Sequence, residues 1–427
     1  MAFPRTGRIP ARPARLLAAL CTALAAFVVM PVQAAHADPT YLTREAVFTQ
    51  IQNGWAQAER YLDTTPGFTQ EGYPPDGRGD QDGQRITFFG GVKKPFSGRF
   101  LLYSAPGWNS GTGTPVLLVH GANDNPDRAW ANPGESGGFG CGASSCPSTG
   151  LMQYLSSRGR RVFAIGFAHK EGDNLMQAQE VGDAIALIKA RLGVGSVDLV
   201  GWSKGEMSAR MYVSSVRPSW GRPYAGDVRK LITLGGPNGG YDYPFAHGWA
   251  HDLSIWPECG GSVNSPSPHL SMVCYGVSYS HPEFSFVPTG GYDDYPGQRQ
   301  MLARFDGTYG IDQTQQDWYT TYYGGQGVYT SGPGIQAAID AGSLIKQIQQ
   351  AGVPTSVQTY LLAGGASNVV GIYNENRGPS DGVVFQTSAL DKTGIGNVAA
   401  TALVTTANHL ELGWDTTVAA QVTAWLN

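Results

Sequence analysis

Apolar and polar positions along the chain alternate between two periods. Nearly unbroken apolar runs occur at PVLLVHG (115 to 121), RRVFAIGF, SVDLVGW, KLITLGG (230 to 236) and VQTYLLAGG (357 to 365). Runs of this kind suit strands buried on both faces. Between them lie stretches with helical spacing. In residues 174 to 194, Leu175, Ala178, Val181, Ala184, Ile185, Ile188 and Leu192 share one face. GLMQYLSSRG, KGEMSARMYVSSV (ended by Pro218) and DTTVAAQVTAWL read as further helices, and GIQAAIDAGSLIKQIQQAGV as one continuous helix. RITFFGG and GRFLLYSAP read as strands before the series, and NVAATALV as a short one near its end.

A strand–helix rhythm of this kind predicts an α/β fold: a mainly parallel sheet with helices on both faces. Residues 38 to 84, with Trp55 and Tyr61, read as a segment that precedes this sheet and wraps it. Residues 237 to 330 break the rhythm. They are rich in Gly, Pro, Tyr and Trp and hold 11 of the 20 tyrosines. So long an interruption inside a compact domain reads as an insertion or cap over a site. Residues 38–427 are then expected to form one domain.

At the start of the sequence, Arg5, Arg8, Arg12 and Arg15 precede the apolar run from Leu16 to Met30, followed by Ala35-His36-Ala37. This is the layout of a signal peptide over residues 1–37, and it predicts a secreted, extracellular protein. The run is shorter than the roughly 20 apolar residues needed to span a bilayer. Loss of four arginines would move the formal net charge from −4 to about −8. That sign argues against nucleic acid or an anionic membrane surface as partner. Cys141, Cys146, Cys259 and Cys274 remain, and local pairing predicts disulfides 141–146 and 259–274. Neither spacing is that of a zinc site.

The pattern G-x-S-x-G occurs twice, at Gly201-Trp202-Ser203-Lys204-Gly205 and at Gly134-Glu135-Ser136-Gly137-Gly138. A nucleophilic serine on a strained turn needs a strand before it, a helix after it and small flanking residues. Ser203 has all three. Ser136 lies in loop chemistry after Asn132-Pro133, with no helix to follow. A serine also needs a base, and the base needs an orienting carboxylate, in the chain order Ser, acid, His. His409, beyond the last strand, is the candidate base. Asp381 in the loop Pro379-Ser380-Asp381-Gly382 is the candidate acid, preferred over Asp391. The oxyanion donors are expected to be the amides of Lys204 and Ala122, with Asn123 as second choice for the latter. His120 is expected to order the loop that carries Ala122. Trp202 and Asn123 are the expected substrate contacts.

VLLVHGAN, GWSKG, SDGVV and NHLE, in this order, resemble the signature stretches of bacterial secreted lipases of the α/β-hydrolase fold. The resemblance covers roughly 115 to 240 and 355 to 427. It implies Ser203 as nucleophile, Asp381 as acid, His409 as base and Ala122 as an oxyanion donor. It departs at Ser380, where such lipases carry asparagine, and at Lys204, where they carry His, Met or Gln. The insertion matches nothing in the pattern.

Other constellations point elsewhere only weakly. His247 and His251 have the spacing of a zinc pair but lack its glutamate. Asp293, Asp294, Asp306 and Asp312 form no calcium-loop pattern. No cofactor or metal is expected. Trp249, Trp256, Trp318, Tyr319, Tyr322 and Tyr323 either fill the insertion's own core or offer an apolar surface at a lipid–water or polymer interface. The sequence thus predicts a monomeric serine ester hydrolase acting on an apolar ester. A depolymerase of an extracellular polyester such as polyhydroxyalkanoate is the alternative, and a non-catalytic binder on the same fold the third.

Overall fold

A computed structural model describes residues 41–73, 77, 79–246, 295–311, 313, 318–326, 331–332, 334–370 and 374–427. The expected signal peptide over residues 1–37, Cys259, Cys274, His247, His251, Trp249, Trp256, Asp293, Asp294 and Asp312 lie outside them.

Nine strands form one sheet: β1 (Leu42–Thr49), β2 (Gln57–Asp63), β3 (Arg99–Ser104), β4 (Thr112–Val119), β5 (Arg160–Phe167), β6 (Val197–Trp202), β7 (Val228–Leu234), β10 (Gln358–Gly364) and β11 (Val398–Val404). A two-residue pair, β8 (Gly325–Gln326) and β9 (Ser331–Gly332), stands apart. The large sheet runs β1-β2-β3-β5-β4-β6-β7-β10-β11. Its first three pairings are antiparallel and the other five parallel.

Period-two alternation sends the side chains of each strand into two separate cores. Leu117 and Val119 enter the core that packs against α3 (Asn174–Leu192) and α4 (Lys204–Val213). Val116 and Leu118 enter the core on the other face, with α2 (Leu151–Ser156) and the closing helix Thr416–Leu426. Both faces of the central strands are therefore dry, which is why their sequences read as continuous apolar runs. Helix α3 starts where the Asp173 carboxylate accepts from the Leu175 amide at 2.7 Å and stops at Gly193, φ +64°.

Four expectations are corrected. Residues 42 to 63, expected within a segment that wraps the sheet, instead belong to it: β1 and β2 extend it by two antiparallel strands. RITFFGG is not a strand: Gly83–Phe88 is the short helix α1. Its β-prone residues are overruled by tertiary contacts. Arg85 is buried among Asp82, Asp127 and Glu135, and Phe88 stacks on Phe48 at 4.5 Å. Helix α4 ends at Val213, well before Pro218, because Ser215 takes a left-handed φ of +54°. The long helix expected over residues 334 to 353 is two, Gly334–Asp340 and Ile345–Ala351. Between them the Leu344 amide donates to Gln300 O and the Ser343 hydroxyl to Leu302 O, at 2.9 and 2.7 Å. Those acceptors draw the chain out of helical register.

Candidate active site

Strand β6 ends at Trp202 and α4 begins at Lys204, so one residue makes the whole turn. That residue is Ser203, at φ +54° and ψ −130°, a conformation an L-residue reaches only under constraint. The flanking glycines explain the constraint. A Cβ at Gly205 would lie 2.3 Å from Val119 O, and one at Gly201 would lie 2.6 Å from Glu206 Cα. The turn is wedged against the end of β4, and the serine hydroxyl stands clear of it.

His409 follows β11 and Asp381 follows β10. His409 Nε2 lies 2.8 Å from Ser203 Oγ, and His409 Nδ1 lies 2.7 Å from Asp381 Oδ2. The other carboxylate oxygen accepts from the amides of Val383 and Val384, at 3.0 and 2.8 Å. The Asp381 carbonyl accepts from the His409 amide at 2.8 Å. Gly382, φ +97°, makes the turn that aims this carboxylate inward. Asp391 is engaged elsewhere, by Gln349 and Thr393. Chemically the chain can draw the proton from Ser203 Oγ to His409 while Asp381 fixes the tautomer.

The histidine loop is pinned by residues that the sequence pattern did not flag. Asn408 Nδ2 donates to Gly142 O at 2.8 Å, and Trp414 Nε1 to Cys141 O at 2.9 Å. Gly142 lies inside the loop closed by the Cys141–Cys146 disulfide. No local signal links 408 to 142; only the fold makes them neighbours. Trp202 Nε1 donates to His409 O at 2.9 Å, so Trp202 both holds the histidine backbone and lines the cleft.

Of the expected oxyanion donors, Lys204 is the first residue of α4, whose leading amides have no partner within the helix. Ala122 lines the cleft, and a Cβ on its neighbour Gly121 would lie 3.0 Å from Ser203 Cβ. Asn123, expected as a substrate contact and second-choice donor, sits at the edge of this loop. Its amide donates to Lys170 O at 3.3 Å. His120 is buried; its Nδ1 bonds Gly121 O at 2.9 Å, and burial lowers its pKa to about 3. It is a neutral loop-ordering residue. Behind it, Arg128 donates to Asn123 O at 3.2 Å and pairs with Asp82 at 2.8 Å and Asp124 at 3.2 Å.

The cleft beside Ser203 has a volume of about 80 Å³. That is several times the ~10–15 Å³ needed for one water, so it has room for a larger group. Among the described residues, besides Ser203 and His409, it is walled by Phe139, Trp202, Tyr241, Tyr243, Met301, Val383, Val384 and Leu410, together with the side-chain amide of Gln298. Tyr241, Tyr243, Gln298 and Met301 come from the predicted insertion. Their run of aromatics signalled a site cover, but nothing marked Gln298. Among the other expected insertion aromatics, Tyr322 is buried and donates to Asp242 at 3.0 Å, while Tyr319 is 58% exposed beside Tyr323. Among the described residues no group of three His, Cys, Asp or Glu side chains is placed to hold a metal.

Strand order, crossover pattern and the strand–turn–helix serine define an α/β-hydrolase fold. No family model and no curated protein matches the sequence. Among solved structures, the chain is similar to the mature form of a Bacillus licheniformis lipase, at 16% identity and TM-score 0.41, covering 74% of this chain and 92% of that one. It is similar to a thermostable carboxyl esterase from Bacillus coagulans at 14% identity and TM-score 0.37, covering 78% and 94%. Naproxen esterase from Bacillus subtilis shares 11% identity at TM-score 0.34, covering 77% and 88%.

Proposed function

We propose that this protein is a serine ester hydrolase. His409, held by Asp381, takes the proton of Ser203 Oγ as that oxygen bonds the ester carbonyl carbon. The amides of Ala122 and Lys204 take the negative charge on the carbonyl oxygen. Collapse breaks the C–O bond, the alcohol leaves with the proton from His409, and water repeats the sequence to free the acid. What carries this reading is the continuous hydrogen-bonded series Ser203–His409–Asp381 at the base of an apolar cleft. The apolar walls favour an ester over a charged substrate.

A second reading, a depolymerase of a solid polyester, draws on the exposed pair Tyr319 and Tyr323, whose rings lie 4.8 Å apart. Action outside the cell is part of the proposal, supported by the Cys141–Cys146 disulfide, a bond kept in oxidising compartments. A fluorophosphonate probe is expected to label the wild type and to leave Ser203→Ala unlabelled. Wild-type protein that resists the probe would leave only a non-catalytic binder on this fold.

A further inference from the structure

Among the described residues that wall the cleft one carries a side-chain amide, and polar side chains on both sides hold it. Gln298 is 4% exposed and lines the cleft with Met301. Its Oε1 accepts from the Tyr241 hydroxyl, and its Nε2 donates to Glu171 Oε2 at 2.6 Å. The segment around it is fastened the same way. Asn174 Nδ2 donates to Gly297 O at 2.9 Å, and Gln300 Nε2 donates to Asp173 Oδ1 at 2.8 Å. Gly297 rests on the Lys204 side chain: a Cβ there would lie 2.1 Å from Lys204 Cε. Lys204 Nζ donates to Gln177 Oε1, and Glu171 is foremost among the carboxylates that favour its charged form against burial. Lys204 is therefore the buried counter-ion of the wall that carries Gln298.

A primary amide has two N–H donors and an oxygen with two lone pairs. Tyr241 and Glu171 occupy one of each, which fixes the rotamer and leaves one N–H and one lone pair. Amid apolar walls, a few placed polar groups of this kind set ligand orientation and selectivity. We infer that Gln298 is a specificity-determining residue that reads a second oxygen group on the substrate, so that the preferred substrates are esters of hydroxy acids. A hydroxyl matches both remaining positions, accepting from Nε2 and donating to Oε1. A plain hydrocarbon chain leaves both unpaired. This rests on the ester-hydrolase reading and narrows it.

The experiment compares kcat/KM for p-nitrophenyl butyrate and p-nitrophenyl 3-hydroxybutyrate. The wild type is expected to favour the hydroxy ester, and Gln298→Met to lower the hydroxy-to-plain ratio about tenfold, the worth of one good hydrogen bond. Tyr241→Phe, which only frees one end of the amide, lowers the ratio by about threefold. The two variants keep the test open if one fails to fold, and fluorophosphonate labelling shows that the serine is intact in each. Ratios unchanged in both labelled variants overturn the inference, as does a wild type that prefers the plain ester. Equal losses on both esters assign Gln298 a structural role and overturn it too. A wild type that neither takes the label nor turns over either ester overturns the hydrolase reading itself.

Discussion

Residues 201–205 and 134–138 carry the same pattern and fold into opposite kinds of structure. At the first, the glycines are small because backbone from β4 and α4 presses on them, and the serine takes the positive φ. At the second, the serine is exposed and two of the glycines take it: Gly137 at +108° and Gly138 at +61°. Ser136 offers its carbonyl to Arg128 at 3.3 Å and has no imidazole partner. Which residue bears the strain separates the two. Strain at a serine between strand and helix lifts its hydroxyl out of the backbone and in front of a base; strain at a glycine only turns a loop.

The largest way to break this comparison is to delete each hydroxyl in turn. Ser203→Ala should lower turnover by about 10⁴-fold or more, the scale on which removing a triad nucleophile acts. Ser136→Ala should leave it within twofold of wild type. Turnover that survives the first substitution and falls in the second would reverse the assignment. Asp381→Asn comes next. The amides of Val383 and Val384 would still meet a side-chain oxygen at residue 381, so the loop is kept while the histidine loses the acceptor that sets its tautomer. A loss of about 10⁴-fold in kcat with an unchanged melting temperature is expected. A loss below tenfold would mean that the carboxylate does not act through His409.

The flanking glycines give the next test, on stability rather than rate. In Gly205→Ala the new methyl meets Val119 O and His120 O, both backbone atoms that cannot rotate away. Destabilisation of about 3 kcal/mol is expected from chemical denaturation. A neutral result would show that the turn is looser than its contacts imply.

Much of this was legible in the sequence, and for identifiable reasons. The central strands read correctly because two dry faces force continuous apolar runs, and the order of Ser203, Asp381 and His409 follows from which strand ends meet. The misread parts depend on contacts between distant residues. Arg85 pulls RITFFGG into a helix through Asp127 and Glu135, and Gln300 breaks a helix that its own residues would continue. Gln298 carried no pattern at all, since its meaning comes from Tyr241 and Glu171.

Beneath Ser203 the first turn of α4 carries Glu206, fully buried, with neither carboxylate oxygen hydrogen-bonded. Burial raises its pKa from 4.5 to about 7, against the opposing pull of Arg210. At pH 4 the folded and unfolded chains both hold this proton. Between 4.5 and 7 the unfolded chain releases it while the folded one retains it, so stability falls as pH rises. The full penalty, at most ~3 kcal/mol for a shift of this size, applies above 7. Glu206→Gln removes the titration at the cost of an unpaired amide, about 1 kcal/mol. The variant should therefore be ~2 kcal/mol more stable than wild type at pH 8 and no more stable at pH 4. Parallel stability–pH curves would count against a neutral buried carboxyl.

The smallest effect sharpens the comparison most, because it asks whether the loop with the second pattern is inert. Gly138 sits at a left-handed φ, and a Cβ there would lie 2.9 Å from Arg128 Nε and 3.2 Å from Asn123 O. Arg128 is the residue that holds the Asn123 carbonyl, one position beyond the amide assigned to the oxyanion. Gly138→Ala thus costs ~1–2 kcal/mol for the strained φ and shifts the guanidinium that positions the Ala122 loop. A fall in kcat of about threefold with little change in KM is expected, since a displaced donor weakens the transition state more than the ground state. The same stability loss with kcat unchanged would separate the two regions completely. A drop in kcat would instead make the glycine-rich loop a brace for the oxyanion donor, giving the second pattern a physical role without any chemistry at Ser136.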